Sequence, residues 1–216
     1  GSDSVLSHPW DDQFTVQAEA WIHGQVDLID PMKGREVVQV DGKFYNSFPP
    51  TPTLVELVLV YFFGRATPVS LALCLAAILM LILSTIMLTR MGLPPGPAVV
   101  LPFLLFFCSN LLYPAAHGGV WYQAQIYGCT LLVIGLFFVL NYRGPAWGIA
   151  FLCLGLAVGC RPFHILYLPL LIFLAVTTSG RRLKDTLLAA CLWASPPLLL
   201  LAWHNYARFG DPFEFG

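Results

Sequence analysis

From Ala66 to Gly180 the chain carries no aspartate or glutamate, and its only arginines or lysines there are Arg90, Arg143 and Arg161. A fold surrounded by water cannot hide so long an apolar stretch against itself, so the solvent for this part is hydrocarbon. The rest of the composition agrees. Of 216 residues, 57% are hydrophobic and 11% charged, against ~25% charged in an ordinary soluble domain. Nine of the twelve acids precede residue 57, which separates a polar N-terminal piece, 1–66, from an apolar remainder, 67–216. A net charge of −1 gives no electrostatic reason to expect nucleic acid.

Within the apolar part six runs stand out, at about 68–89, 97–113, 125–142, 145–160, 162–178 and 185–203. A crossing needs ~20 residues, so several of these are short and would cross with little tilt. Turn chemistry separates them: "GLPPGP", "YPAAHGG", "NYRGP", "CRPF" and "TSGRRLKD". The expected fold is therefore an all-α polytopic membrane protein of about six transmembrane helices. If the first run travels inward, Arg90, Arg143, Arg181, Arg182 and Lys184 lie inside, and Arg65, Arg161 and Arg208 lie outside. Five basic residues against three favour an extracytoplasmic N-terminal piece. On that topology the 1–66 segment, the 114–124 loop, the Arg161 turn and the tail after Trp203 share one face.

The polar piece has its own signals. "QFTVQAEAWIHG" reads as a helix ended by Gly24, with Phe14, Ala18, Trp21 and Ile22 on one face. "REVVQVDGKFYNS" reads as a small hairpin about Asp41-Gly42. "LVELVLVYFFG" is too short to cross and contains Glu56, which fits an interfacial helix. The opening "GSDS" has neither the basic nor the apolar region of a secretory signal. The expectation is a piece of a longer chain, with a first span upstream. Six cysteines all fall in apolar runs without metal-ligand spacing, so neither disulfides nor zinc is expected.

Four groups of residues have chemical potential. Asp11 and Asp12 follow Pro9-Trp10. One of them can cap the helix that starts near Gln13; alternatively, one is a general base and the other binds a hydroxyl or a cation. In a helix the two would point ~100° apart, so only one faces a given pocket. Arg161, between two apolar runs, is either a snorkelling side chain or a guanidinium clamp for phosphate. His117, Tyr122 and Gln123, with Trp121, are either interface anchors or the aromatic and amide contacts a sugar ring uses. Asn205, in "WHNYARFGDPFEFG", belongs to an aromatic belt with a weaker claim to substrate.

"DDQFTVQAEAWIHGQVDL", "DGKFYNSFPPTPTLVEL", "GCRPFHILYLPLL" and "HNYARFGDPFEFG" together resemble the bacterial polytopic glycosyltransferases of the GT-C class, relatives of protein O-mannosyltransferases and lipid A aminoarabinose transferases. The resemblance implies a multi-pass protein of the bacterial inner membrane, with a catalytic acid in its first outer loop. It implies transfer of a sugar from a polyprenyl-phosphate donor to a protein, lipid or glycan acceptor. By position the acid is Asp11 or Asp12, Arg161 contacts the lipid phosphate, and His117 and Gln123 contact sugar or acceptor. Some relatives require a divalent metal; two acids alone leave such a site incomplete, so no metal or other cofactor is assigned. The first span and a C-terminal part of the class are missing, and an isolated piece can be inactive. Two other readings stay open: a transporter or flippase of lipid-linked substrates, and a non-catalytic membrane scaffold. The acid-free stretch argues against the transporter, which would favour ionisable residues at mid-membrane depth.

Overall fold

The computed structural model describes residues 12–28, 36–109, 111–142, 145–180 and 182–215, and it is mostly helical. Asp11 lies outside the described residues. The polar piece holds α1 (Gln13–Ile22), a two-stranded antiparallel hairpin of β1 (Val37–Val40) and β2 (Lys43–Asn46), and α2 (Thr51–Phe63). The apolar part holds α3 (Val69–Arg90), α4 (Pro95–Cys108), α5 (Leu112–His117), α6 (Val120–Asn141), α7 (Ile149–Val158), α8 (Leu168–Ser179) and α9 (Leu183–Phe209). Among the described residues three helices, α3, α6 and α9, are long and apolar enough to cross a bilayer.

The local reasons are those the sequence offers. The hairpin turns at Asp41 (φ 50°) and Gly42 (φ 78°), the two positive dihedrals that a type I′ turn demands and that Asp-Gly tolerates. Asp12 caps α1 by accepting from the Thr15 backbone N–H at 3.2 Å. In α9 the consecutive Pro196 and Pro197 cannot donate to the preceding turn. The Ser195 hydroxyl donates to the Leu192 carbonyl at 3.3 Å and so serves an acceptor that Pro196 leaves unmet.

α6 is the central helix, packed on α3, α7 and α8, and α7 in turn packs on α9. One core joins α6, α7, α8 and α9 through Leu132, Trp147, Phe151, Leu154 and Leu171. A second joins α3, α4 and α6 through Leu73, Met80, Phe106 and Ile126. Close approach is set by small residues: a side chain at Gly155 would strike Pro197 and the Ala194 backbone of α9. The outward faces of α3 and α4 are instead lined by Leu75, Ile82, Phe103 and Leu105, all exposed, as expected of helices facing lipid.

Several elements differ from the sequence reading. α1 is not amphipathic with Ile22 inward: residues 13–18 are buried all round while Ile22 is exposed. Gln17 turns inward because α2 and the hairpin supply Thr53 and Asn46 as partners, whereas Gln13 is buried with neither amide atom hydrogen-bonded among the described residues. The run 97–113 breaks after Cys108, and α5 is a separate short helix. The 114–124 loop is largely helix, so Tyr122 and Gln123 stand on the first turn of α6. The 145–160 and 162–178 runs are two elements meeting at Arg161, as read, but the second opens with a 3-10 stretch, Pro162–Tyr167, and α8 begins only at Leu168. α9 continues to Phe209 rather than ending at 203, so His204, Asn205 and Arg208 are helical rather than in a tail. Buried partners for all three hold that last turn and a half.

Candidate functional site

Several separate ties fasten the polar piece to one end of the helix bundle, and four of them are as follows. The Thr51 backbone N–H donates to Gly159 at the end of α7 at 2.9 Å. Gln123 Nε2 donates to Asp12 Oδ1 at 2.7 Å. Arg208 donates to the Asn46 and Phe48 carbonyls and, at 2.7 Å, to Asn205 Oδ1. The fourth tie runs through amides: Phe48 N–H donates to Asn46 Oδ1, Asn46 Nδ2 to Gln17 Oε1, and Gln17 Nε2 meets His204 Nε2 at 3.3 Å. Thr53 Oγ1 adds a 2.6 Å donation to Gln17. Thus the N-terminal segment, the start of α6, the Arg161 turn and the end of α9 do converge, as the topology required.

Asp12 lies at the centre of the first group and is fully buried. Its carboxylate accepts from Thr15 N–H, Thr15 Oγ1 and Gln123 Nε2. Gln123 is held in turn by the Gly118 carbonyl at 3.0 Å. One turn further along α6, Tyr127 donates its hydroxyl to Glu56 Oε1 at 3.0 Å. Glu56 is also fully buried, and its Oε2 has no partner among the described residues. Burial, reinforced by the Asp12 charge and opposed by the Tyr127 hydrogen bond, pushes the Glu56 carboxyl up to about 8.

Arg161 stands beyond Phe48. Its guanidinium carbon is 5.0 Å from the Phe48 ring centroid, Nη2 donates to the Trp121 carbonyl at 3.3 Å, and Nε is buried without a partner among the described residues. Burial holds its proton affinity below the usual arginine value, with Glu36 acting against that shift. Phe48 itself contacts Phe14 edge-on at 6.0 Å, so it wedges between α1 and Arg161. Arg161, Trp121, Tyr122 and Gln125 line a cavity of about 500 Å³ together with Leu105, Ser109, Leu111 and Pro114. Leu105 and Leu111 also line a second, apolar cavity of about 220 Å³ among α3, α4 and α6. The two share Leu105 and Leu111 in their walls, and the first adds the Arg161 guanidinium to a largely apolar lining.

The other sequence candidates fall elsewhere. His117 is exposed, accepts or donates at the Tyr113 carbonyl (3.0 Å) and stacks on the Tyr113 ring. It does not line the Arg161 cavity, although Tyr122 does. Gln123 turns away from that cavity toward Asp12. Asn205 serves Arg208 and, at 3.2 Å, the Pro212 carbonyl, on the latch between α9 and the hairpin. Asp12 is not among the residues lining the cavity of Arg161. Among the described residues no group of three or more His, Cys, Asp or Glu gathers to hold a metal.

Sequence reasoning passed over Glu56, Gln17, Tyr127 and His204 as site residues. The one available signal was Glu56, a lone carboxylate in the otherwise apolar "LVELVLV". Comparison with protein-family models, curated proteins and solved structures finds no match, so the functional reading rests on these residues.

Proposed function

We propose that the chain is part of a GT-C-type membrane glycosyltransferase, moving a sugar from a polyprenyl-phosphate donor to an acceptor hydroxyl on the outer face of a bacterial inner membrane. Six crossings, α3, α4, α6, the α7 and α8 elements and α9, would place the polar end outside. One observation supports the reading: a cavity carrying Arg161, Trp121 and Tyr122 shares Leu105 and Leu111 with an apolar cavity among α3, α4 and α6, at an end of the bundle that bears a buried carboxylate. A lipid phosphate has this shape and polarity, with an anionic head and a hydrocarbon tail.

In the reaction a carboxylate of the Asp11–Asp12 pair takes the proton of the acceptor hydroxyl as its oxygen attacks the anomeric carbon. The bond from that carbon to the lipid-phosphate oxygen breaks, and its electron pair leaves on the phosphate, which Arg161 neutralises. Tyr122 in the Arg161 cavity offers a ring face to the sugar.

The test uses the complete protein in proteoliposomes with radiolabelled polyprenyl-phosphate sugars. Asp11→Asn and Asp12→Asn are compared for transfer, and Arg161→Ala for retention of the polyprenyl phosphate. Loss of transfer in one aspartate variant, with normal membrane insertion, identifies the base. Full transfer by both variants removes the base assignment, and unchanged lipid retention by Arg161→Ala removes the phosphate clamp.

A further inference from the structure

Asp12 and Glu56 are held on the same face of α6, by Gln123 and Tyr127 respectively. Residues four apart on a helix are neighbours, with Cβ atoms about 5–6 Å apart, so the two carboxyl groups, both fully buried, are anchored on adjacent turns of one helix. Their surroundings are unequal. Asp12 receives two donations from Thr15 and one from Gln123, and it sits at the N-terminus of α1. Among the described residues Glu56 receives one, from Tyr127, and its Oε2 receives none. Hydrogen bonds to the charged form and the positive end of a helix favour ionisation; burial with an unmet oxygen opposes it.

We propose that Asp12 and Glu56 hold a single proton between them at neutral pH, resident on Glu56. Glu56 is thereby a positioning residue that leaves Asp12 as the charged member of the pair. The elevated proton affinity of Glu56 agrees with this order, and the Asp12 charge contributes to it. Among the described residues the titratable groups acting on Glu56 are Asp12, from the start of α1, and Tyr127, from α6. Arg65, in the turn after α2, pairs with Glu19 of α1 at 2.7 Å. The inference stands whether or not the protein transfers sugar, because its readouts are protonation and stability.

The sign follows from a folded-state value raised above the ordinary 4.5 to about 8. The stabilisation is complete below the ordinary value and is lost as pH rises through the folded one. Thermal unfolding of the purified protein in detergent is to be followed from pH 4 to 9, alongside the infrared carbonyl band of protonated carboxyl groups. The wild-type midpoint should fall over this window and a carboxyl band should vanish near pH 8. Glu56→Gln should lose both the band and this contribution to the fall. Asp12→Asn should move the titration to lower pH, since the neighbouring negative charge is gone. If the band persists in Glu56→Gln, the proton is not on Glu56. If Asp12→Asn leaves the titration in place, the two are not a pair. Should Glu56→Gln fail to fold, the wild-type and Asp12→Asn titrations decide between the same outcomes.

Discussion

Replacing Asp12 separates its structural duty from any chemical one, because asparagine and alanine remove different things. Asp12→Ala deletes the cap of α1, at a cost of about 1 kcal/mol. It also removes the anionic acceptor of Gln123 Nε2 and Thr15 Oγ1, where hydrogen bonds to a charged group contribute about 1.5–3 kcal/mol. Gln123 keeps its bond to the Gly118 carbonyl, so its amide is not orphaned and the second figure falls near its lower end. The total is roughly 3 kcal/mol of lost stability. Asp12→Asn keeps an oxygen for the Thr15 N–H and Gln123 donors, requires the Thr15 hydroxyl to turn from donor to acceptor, and gives up charge assistance, about 1 kcal/mol, part of which is returned by relieving Glu56. Urea titration in detergent, read by far-UV circular dichroism, measures both. If Asp12→Ala lies within 0.5 kcal/mol of wild type, or Asp12→Asn is as damaging as Asp12→Ala, the capping and tethering account fails. Because Asp12→Asn preserves the fold, its transfer activity is the informative one.

Arg208 offers a second perturbation. Arg208→Leu strips donors from the Asn46 and Phe48 carbonyls and from Asn205, which should cost about 3 kcal/mol and loosen the hairpin, seen as faster proteolysis within residues 36–50. Gly128 is backed directly by the His164 ring. Gly128→Ala should therefore lower stability by about 1–3 kcal/mol, measured as a lower thermal midpoint, whereas Gly96→Ala, with open space around it, should not.

The membrane-facing part of the fold is legible because it depends on what is absent: with no acid between residues 66 and 180, hydrophobicity alone marks where helices run. The hairpin and the start of α1 are legible because Asp41-Gly42 and Asp12 act through their own backbone neighbourhood. The polar interior is not, and the reason is separation along the chain. Gln17 finds His204, and Asn46 finds Arg208, only after the whole bundle has closed. Their residue types alone read as ordinary surface. α1 illustrates the cost of ignoring this: its glutamines look solvent-directed in sequence, yet Gln13 and Gln17 are buried. Glu56 was visible as an oddity in α2, but its neighbour Tyr127 lies a further helix pair away, so the oddity had no partner to explain it.

The amide chain from Phe48 to His204 has a direction. Phe48 N–H can only donate, which fixes the Asn46 carboxamide oxygen toward it and the Asn46 nitrogen toward Gln17. Gln17 must then turn its own nitrogen to the imidazole, so Nε2 of His204 is an acceptor and the ring proton sits on Nδ1. A single peptide N–H just beyond the hairpin thus selects the tautomer of a histidine in the last helix. Reversing any one amide along the way would force the whole series to reverse, and the tie joining the first described helix to the last behaves as a polarised wire rather than a set of independent contacts.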